Sequence, residues 1–250
     1  MNLSYQLYSS RFVEDWEAVL VHLAKTGYAE VEGFMGAIHN AAEFRSSLDR
    51  HGLRMPSLHL GIEDLERDLS GAIETAKILG VGHVFAPYLD AAERPADAAG
   101  WQAFAGRLAA IQETMAASDL GFGWHNHDFE FEPLSDGSSP MAHILDAAPD
   151  IGWEADIAWI VRGGADPFDW IKRYAGRIVS VHIKDIAPLG ECEDEDGWAD
   201  VGQGTMPWDR LMKIVRAETS AGIFVMEHDK PSDAFRFAER SFSYIAGLEG

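Results

Sequence analysis

The chain has 250 residues, and its 41 acidic side chains exceed its 20 basic ones to give a formal net charge of −21 at pH 7. Such an acidic chain is repelled by phosphate backbones and anionic membrane surfaces, so we expect neither nucleic acid nor a membrane as a partner. The 47% hydrophobic and 24% charged content is typical of a globular protein. Residues 1–7 lack the features of a signal peptide, and the single cysteine, Cys192, excludes an intrachain disulfide. These features predict a soluble, cytoplasmic protein.

Short strand-like runs alternate with helical patterns along the whole chain. Between the strand-like runs, apolar residues recur at the i, i+3, i+4 and i+7 spacing of amphipathic helices, as at 16–23, 65–76 and 104–115. The eight predicted strands are Leu3–Tyr8, Ala29–Gly33, Met55–His59, His83–Ala86, Phe122–His125, Ile151–Glu154, Val179–Ile183 and Ile223–Met226.

Eight strand–helix units in 250 residues average about 31 residues each, which is the size of a βα repeat. Eight is also the number of parallel strands that closes a barrel. The competing architecture is an open, doubly wound sheet, but Ser9-Ser10-Arg11 follows the first strand in place of a glycine-rich dinucleotide loop. No linker or break in composition divides the chain. The sequence therefore predicts an α/β protein with a single domain, a (β/α)8 TIM barrel over residues 1–250.

Polar residues gather at the predicted carboxyl ends of six strands, where the active site of a TIM barrel lies. A lone histidine at a strand end is more often a hydrogen-bonded structural residue, but convergence from six strands predicts an active site. In chain order these residues are Glu32, His59, the run from His125 to Glu130, Glu154 and Asp156, the run from His182 to Asp185, and the run from Glu227 to Asp229.

Carboxylates and imidazoles that project into one barrel mouth need a compensating charge, and a divalent cation supplies it. A mixed set of nitrogen and oxygen ligands suits manganese, cobalt, iron or zinc, with magnesium also open. The predicted ligands are His125, Asp156, His182 and Glu227. Because His125 and His127 face the same side of an extended chain, either could bind the metal while the other faces substrate.

Five segments carry a resemblance to a known family. They resemble the xylose isomerase-like TIM barrel superfamily, whose members are usually sugar phosphate isomerases or epimerases. The resemblance runs from Leu3 to about Ile245, but its specific motifs lie in the second half of the chain. The segments are Trp124-His125-Asn126-His127-Asp128-Phe129-Glu130-Phe131, Asp156-Ile157-Ala158-Trp159, residues 176–185 with Val181-His182-Ile183-Lys184-Asp185, Val201-Gly202-Gln203-Gly204, and Val225-Met226-Glu227-His228-Asp229.

The resemblance implies one divalent metal held by Glu, Asp, His and Glu from strands five to eight. Asp156, His182 and Glu227 match the last three, whereas His125 stands where many epimerases have Glu. Trp159 is a second departure, since several epimerases have a histidine there. In those epimerases, two metal-bound glutamates exchange protons at the carbon beside a carbonyl. Because this chain has His125 in place of one glutamate, it lacks one of the two groups that a symmetric epimerisation needs. The His-x-His and His-x-Lys-Asp strands look more like the inosose dehydratase and keto-sugar lyase branch.

Three residues are predicted to be catalytic. Glu227 binds the metal and could also remove a proton beside a metal-polarised carbonyl. Lys184 either holds a developing oxyanion or pairs with Asp185 or Glu154. His127 is the third candidate.

Glu32 and His59 are candidates for recognition of substrate hydroxyls, and their alternative role is structural pairing across the barrel mouth. The acidic run 191–196 lacks the ligand spacing of a calcium loop and is expected to form a solvated acidic lid. The substrate-binding candidates are Glu32, His59, Glu130, Glu154, Asp185 and Trp159.

We expect a metal-dependent isomerase or epimerase that removes a proton alpha to a carbonyl in a small sugar, keto sugar or cyclitol. Loss of a beta-hydroxyl would instead give a dehydratase or lyase. His125 and Lys184 favour this alternative almost as much as the isomerase or epimerase. An apurinic endonuclease is disfavoured by the charge of −21, and a non-catalytic subunit by the full set of ligands. The expected partner is a carbohydrate without phosphate, and a homo-oligomer is compatible with the sequence.

Overall fold

The computed structural model describes residues 1–248 and shows eight parallel strands closed into a barrel. The strands follow one another around the barrel in chain order, because the last one pairs with the first. The predicted TIM barrel is confirmed; residues 249–250 of the predicted domain lie outside the described range. The barrel strands are β1 (Ser4–Gln6), β2 (Glu30–Phe34), β3 (Arg54–His59), β4 (His83–Ala86), β5 (Gly121–His125), β6 (Gly152–Asp156), β7 (Ile178–Ile183) and β10 (Ile223–Met226).

A short antiparallel ribbon interrupts the loop after β7. Its strands are β8 (Asp185–Ile186) and β9 (Trp198–Ala199), and they bring the acidic run back over the barrel mouth.

Helices cover the outside of the barrel. Asp15, Asn40 and Asp97 begin three of them by accepting a hydrogen bond from the backbone N–H three residues on. None of the helices within residues 1–248 is long and apolar enough to cross a membrane. The helices are α1 (Trp16–Thr26), α2 (Ala41–His51), α3 (Ile62–Arg67), α4 (Leu69–Leu79), α5 (Ala98–Ala116), α6 (Pro140–Ala147), α7 (Ile157–Arg162), α8 (Pro167–Tyr174), α9 (Trp208–Glu218) and α10 (Ala234–Gly247).

Alternate residues of each strand face opposite environments. Leu58 of β3 belongs to the hydrophobic core shared by the strands and the helices. Its neighbours Ser57 and His59 therefore face the barrel interior. The same alternation turns Glu32 of β2 inward, in register with Ser57. The outer core is thus apolar, while the upper interior of the barrel is polar.

Candidate metal centre and active site

One buried carboxylate contacts three imidazoles at the carboxyl ends of the strands. Glu154 Oε2 lies 2.5 Å from His59 Nε2 and 3.2 Å from both His125 Nδ1 and His182 Nε2. A second carboxylate, Glu32, places Oε1 2.6 Å from His182 Nε2. All five side chains are buried, so these contacts are shielded from water.

The charges of this cluster set the protonation of its histidines. Burial alone would lower the pKa of His59, but the carboxylates of Glu32 and Glu154 outweigh it and raise the pKa to about 10. Burial is likewise outweighed at His182, whose pKa the nearby glutamates hold well above its usual value. For His125, burial and the charge of His182 lower the pKa. The pKa of His125 therefore shifts opposite to those of His59 and His182. Because a metal ion binds the neutral imidazole, a cation bound at His182 would displace its proton.

The structure brings the four predicted metal ligands together. His125, Asp156, His182 and Glu227 each offer a ligand atom, and these atoms all lie within 4.8 Å of one another. In a second set, His59 and Glu154 replace the two carboxylates of the first. The ligand atoms of this set also lie within 4.8 Å of one another. The two histidines are common to both sets.

The surrounding hydrogen bonds favour the first set. His182 Nε2 contacts Glu32, while Nδ1 faces Glu227 Oε2 at 2.8 Å. A carboxylate that accepts a hydrogen bond from one ring nitrogen, and so directs the other ring nitrogen toward the metal, is the usual support of a metal-binding histidine. The donor set of two imidazoles and two carboxylates fits a divalent cation of the zinc, manganese, cobalt or iron type.

Lys184 lies among three carboxylates. Its Nζ is 3.0 Å from Asp156 Oδ2, 2.8 Å from Glu227 Oε2 and 2.9 Å from Asp229 Oδ2. Burial would lower its pKa, but these carboxylates raise the pKa above its usual value, so Lys184 stays cationic. The alternative partners that the sequence offered, Asp185 and Glu154, are therefore wrong, because the Lys184 side chain contacts Asp156 at the end of β6 and the residues that follow β10.

Glu227 is ionised by the same contacts. Burial raises its pKa, but Lys184 and His182 outweigh burial and hold the pKa well below its usual value. Glu227 also lines the main cavity, so an anionic oxygen is available at the cavity floor.

A cavity of about 690 Å³ opens above this cluster. Glu32, Glu154, Asp156, His182 and Lys184 lie beneath the floor and do not form its wall. Aromatic rings contribute much of the rest of the wall. The polar wall residues at the floor are His59, His125, His127, Glu227 and Asp229, and the aromatic ones are Tyr8, Phe34, Tyr88, Trp159 and Trp198.

Two of the predicted substrate-binding residues hold loops instead of lining the cavity. Glu130 accepts from Trp124 Nε1 and from the backbone N–H of His127, each at 2.8 Å. Asp185 accepts three backbone N–H groups, which tie the ribbon to the 202–206 turn. These bonds engage both oxygens of each carboxylate, so their positions support a structural role.

The acidic run is only partly the solvated lid that its composition predicts. Glu195 is buried and accepts from Arg236 Nη2 at 2.8 Å. Asp196 and Trp198 line the cavity, and the Arg162 guanidinium stacks 3.2 Å above the Trp198 ring centroid. The run crosses the mouth, but specific contacts fix it there.

Asn126 is the positioning residue that the sequence reasoning missed. Its Oδ1 accepts from Trp153 Nε1 at 2.8 Å and from the backbone N–H of Asp156 at 3.1 Å, and its Nδ2 donates to the Asp156 carbonyl at 3.0 Å. Its position between two histidines of one motif was the available signal. Gln6 was also missed; its Nε2 donates to Glu32 Oε1 at 2.8 Å.

Comparisons with known proteins agree with this fold. The family profile described as xylose isomerase-like TIM barrel matches residues 15–246, and the chain belongs to this family. No curated protein matches the sequence.

Several solved structures share the fold. A sugar phosphate isomerase/epimerase from Parabacteroides distasonis ATCC 8503 is 22% identical over 98% of this chain and 93% of its own, with a TM-score of 0.81. The IOLI protein, solved with a zinc atom, is 16% identical over 99% and 98%, with a TM-score of 0.80. The probable 3-DHS dehydratase AsbF from Bacillus anthracis is 13% identical over 98% and 99%, with a TM-score of 0.77. At these identities the likeness shows the fold.

Proposed function

We propose that this protein is a divalent-metal-dependent isomerase or epimerase of a small sugar, keto sugar or cyclitol, acting on the proton beside a carbonyl. The observation that carries the proposal is the set of four buried ligand atoms within 4.8 Å of one another, at the floor of a 690 Å³ cavity. Family membership supports it, as do the zinc of the IOLI protein and the isomerase/epimerase name of another neighbour.

His125, Asp156, His182 and Glu227 would hold the metal. A divalent cation at this place would supply Lewis-acid polarisation of a substrate carbonyl. Glu227 is the one carboxylate of the set that reaches the cavity wall, so it is the group placed to accept the proton from carbon. Lys184 lies beneath the cavity wall and does not touch substrate. Its positive charge acts on substrate electrostatically and through the carboxylate of Glu227, which it contacts.

The cavity suits a small polyhydroxylated molecule. Its volume falls within the range of small-molecule sites. The rings of Tyr88 and Trp159 can pack against sugar C–H groups, while His127 and Asp229 offer partners for hydroxyls. The strongly acidic chain favours a substrate without phosphate.

A dehydratase or lyase is the second candidate. Two imidazoles, His125 and His127, lie in the wall with ring centroids 5.1 Å apart, where the epimerase pattern would place a second glutamate. A neutral imidazole there could take the proton from the alpha carbon and then deliver that proton to the departing beta-hydroxyl, which leaves as water. One structural neighbour is named as a probable dehydratase.

The test is hydrogen exchange at carbon in deuterated water. The protein, supplied in turn with manganese, cobalt, zinc and magnesium, is incubated with a panel of keto sugars and inososes, and the products are examined by NMR and mass spectrometry. Isomerisation or epimerisation predicts solvent deuterium at the carbon beside the carbonyl in a product of unchanged formula. Dehydration predicts a product that has lost one water.

The matched variants are Glu227→Gln and Glu191→Gln. Glu227 lines the cavity, whereas Glu191 is an exposed residue of the acidic run. The proposal expects exchange to disappear in the first and to persist in the second. Absence of exchange with every metal and every substrate of the panel would reject proton abstraction as the chemistry.

A further inference from the structure

The interior of the barrel below the imidazoles is built from unusually small and polar residues. The strand alternation described above turns Ser4 of β1, Ser57 of β3, Gly123 of β5 and Ser180 of β7 inward. These four come from alternate strands and so form one layer, a position that bulky branched side chains usually fill in TIM barrels. All three serines are fully buried.

Five buried oxygens in this region have no hydrogen-bond partner among residues 1–248. Three are the hydroxyls of Ser4, Ser57 and Ser180, and two are Glu32 Oε2 and Glu154 Oε1. Each glutamate uses its other oxygen to contact the imidazoles above it. Buried polar atoms are almost always satisfied by protein groups or by ordered water.

The strand register brings these oxygens side by side. Ser57 pairs with Glu32 across β2 and β3, and Ser180 pairs with Glu154 across β6 and β7. Neither pair forms a direct hydrogen bond within residues 1–248. A gap between two polar groups on neighbouring strands is the usual setting for a bridging water.

The layer is covered on one side and borders a cavity at its lower end. A Cβ at Gly123 would lie 2.8 Å from Phe85 Cε1, so the Phe85 ring covers this side of the interior. A cavity of about 530 Å³ opens at the amino ends of the strands, and Glu30, His83 and Ile223 line it. Each of these three is in register with one of the serines.

We propose that the barrel interior holds a buried cluster of ordered water molecules that bridges Ser57 to Glu32 and Ser180 to Glu154. Ser4 contributes the third hydroxyl, and the lower cavity is the path by which the water reaches the cluster. The bridges fix the orientation of the two glutamates, which in turn orient the imidazoles of His59 and His182. Ser57 and Ser180 are thus positioning residues for the candidate metal centre, although they do not touch it.

The first test is a crystal structure of the unmodified protein at a resolution that shows individual waters. The proposal expects a density peak within hydrogen-bond distance of Ser57 Oγ and Glu32 Oε2, and another between Ser180 Oγ and Glu154 Oε1. A dry interior in which the hydroxyls donate to backbone carbonyls would overturn it. A peak ringed by oxygens at the shorter distances of a bound cation would also overturn the assignment to water.

The second test separates positioning from packing. NMR signals of the imidazole N–H protons of His59 and His182 report the carboxylates that these rings contact. The signals are compared in Ser57→Ala/Ser180→Ala and in the exposed-serine control Ser46→Ala/Ser135→Ala. The proposal expects these signals to shift or broaden in the first variant and to stay unchanged in the control. Unchanged signals in a folded first variant would overturn the positioning role. If that variant does not fold, the density of the unmodified protein decides.

Discussion

Asp156 shows how single residues of this site are held. Its Oδ1 accepts from the backbone N–H of Trp159 at 2.9 Å and so caps α7, while Oδ2 faces Lys184. The side chain of Asn126 holds its backbone from the neighbouring strand. A carboxylate tied at these points is already in place for a cation, so little reorganisation is needed on binding.

Replacing Asn126 with alanine should damage both stability and metal binding. The change leaves the buried Trp153 Nε1–H and the Asp156 N–H without acceptors, which we expect to lower the free energy of unfolding by about 2–4 kcal/mol. Loss of such support typically weakens metal binding about 10–100-fold. Urea denaturation and metal titration measure the two effects.

The matched control for this prediction is Asn40→Ala. Asn40 is an exposed asparagine that caps α2 by accepting from the Glu43 N–H. Its loss should cost about 1 kcal/mol and leave metal affinity unchanged. Equal metal affinity in the Asn126 variant and the wild type would contradict the positioning role.

The ligand residues could be predicted from the sequence because the carboxyl ends of parallel barrel strands meet at one face. His125, Asp156 and His182 needed only strand boundaries correct to a residue or two. The partners of Lys184 could not be predicted, because they depend on the direction of a long side chain and not on strand order. For the same reason, the sequence predicts Glu130 as a substrate contact, whereas the structure turns its side chain back to Trp124.

At the level of elements, the strands were easier to predict than the helix boundaries. The predicted strands His83–Ala86 and Ile223–Met226 are confirmed to the residue. One helical pattern over 65–76 is instead two helices, α3 and α4, because Asp68 ends the first and caps the second through the Gly71 N–H. Apolar periodicity continues across that break, so it gave no signal.

The packing of β5 against its neighbours depends on glycine. A Cβ at Gly123 would lie 2.5 Å from the Gly152 carbonyl oxygen and 2.8 Å from the Phe85 ring. Because a backbone atom cannot move aside cheaply, Gly123→Ala should lower the free energy of unfolding by about 1–3 kcal/mol.

The matched control lies in α5, where an added Cβ at Gly106 meets nothing within 4 Å. Gly106→Ala should therefore raise the free energy of unfolding by about 0.5–1 kcal/mol. Chemical denaturation of both variants tests the pair, and equal effects would contradict this packing.

The acidic run over the barrel mouth should respond to acid. Burial raises the pKa of Glu195, but hydrogen bonds from Ser232 and Arg236 outweigh it and lower the pKa from 4.5 to about 2. A carboxyl group whose pKa is lower in the folded state than in the unfolded state stabilises the fold at pH values above its ordinary pKa. For Glu195 this stabilisation is lost as the pH falls from 4.5 through 2.

Glu195→Gln should therefore reduce stability at neutral pH, by on the order of 3 kcal/mol. The difference from wild type should shrink as pH falls toward 2. Unfolding measured across pH tests this, with the exposed Glu191→Gln as a control that should follow wild type. A stability difference that does not change with pH would contradict the role of the Arg236 contact.

At the scale of the whole molecule, part of the net charge of −21 is concentrated at the barrel mouth. Five of the acidic side chains, Glu32, Glu154, Asp156, Glu227 and Asp229, lie together at or beneath the cavity floor, with Lys184 as the lysine among them. The fold could be predicted because eight evenly spaced units have few ways to close. The polar interior below the site could not, because it depends on strand register, which sequence alone does not fix.

The central claim is that one divalent ion binds at this cluster. Metal analysis of the purified protein, with anomalous scattering to locate the ion, tests it most directly in wild type, His182→Gln and the exposed-histidine control His39→Gln. We expect one ion per chain between His125, Asp156, His182 and Glu227 in wild type and in the control, and loss of the ion from folded His182→Gln. An unchanged metal content in His182→Gln, or an ion located elsewhere, would contradict it.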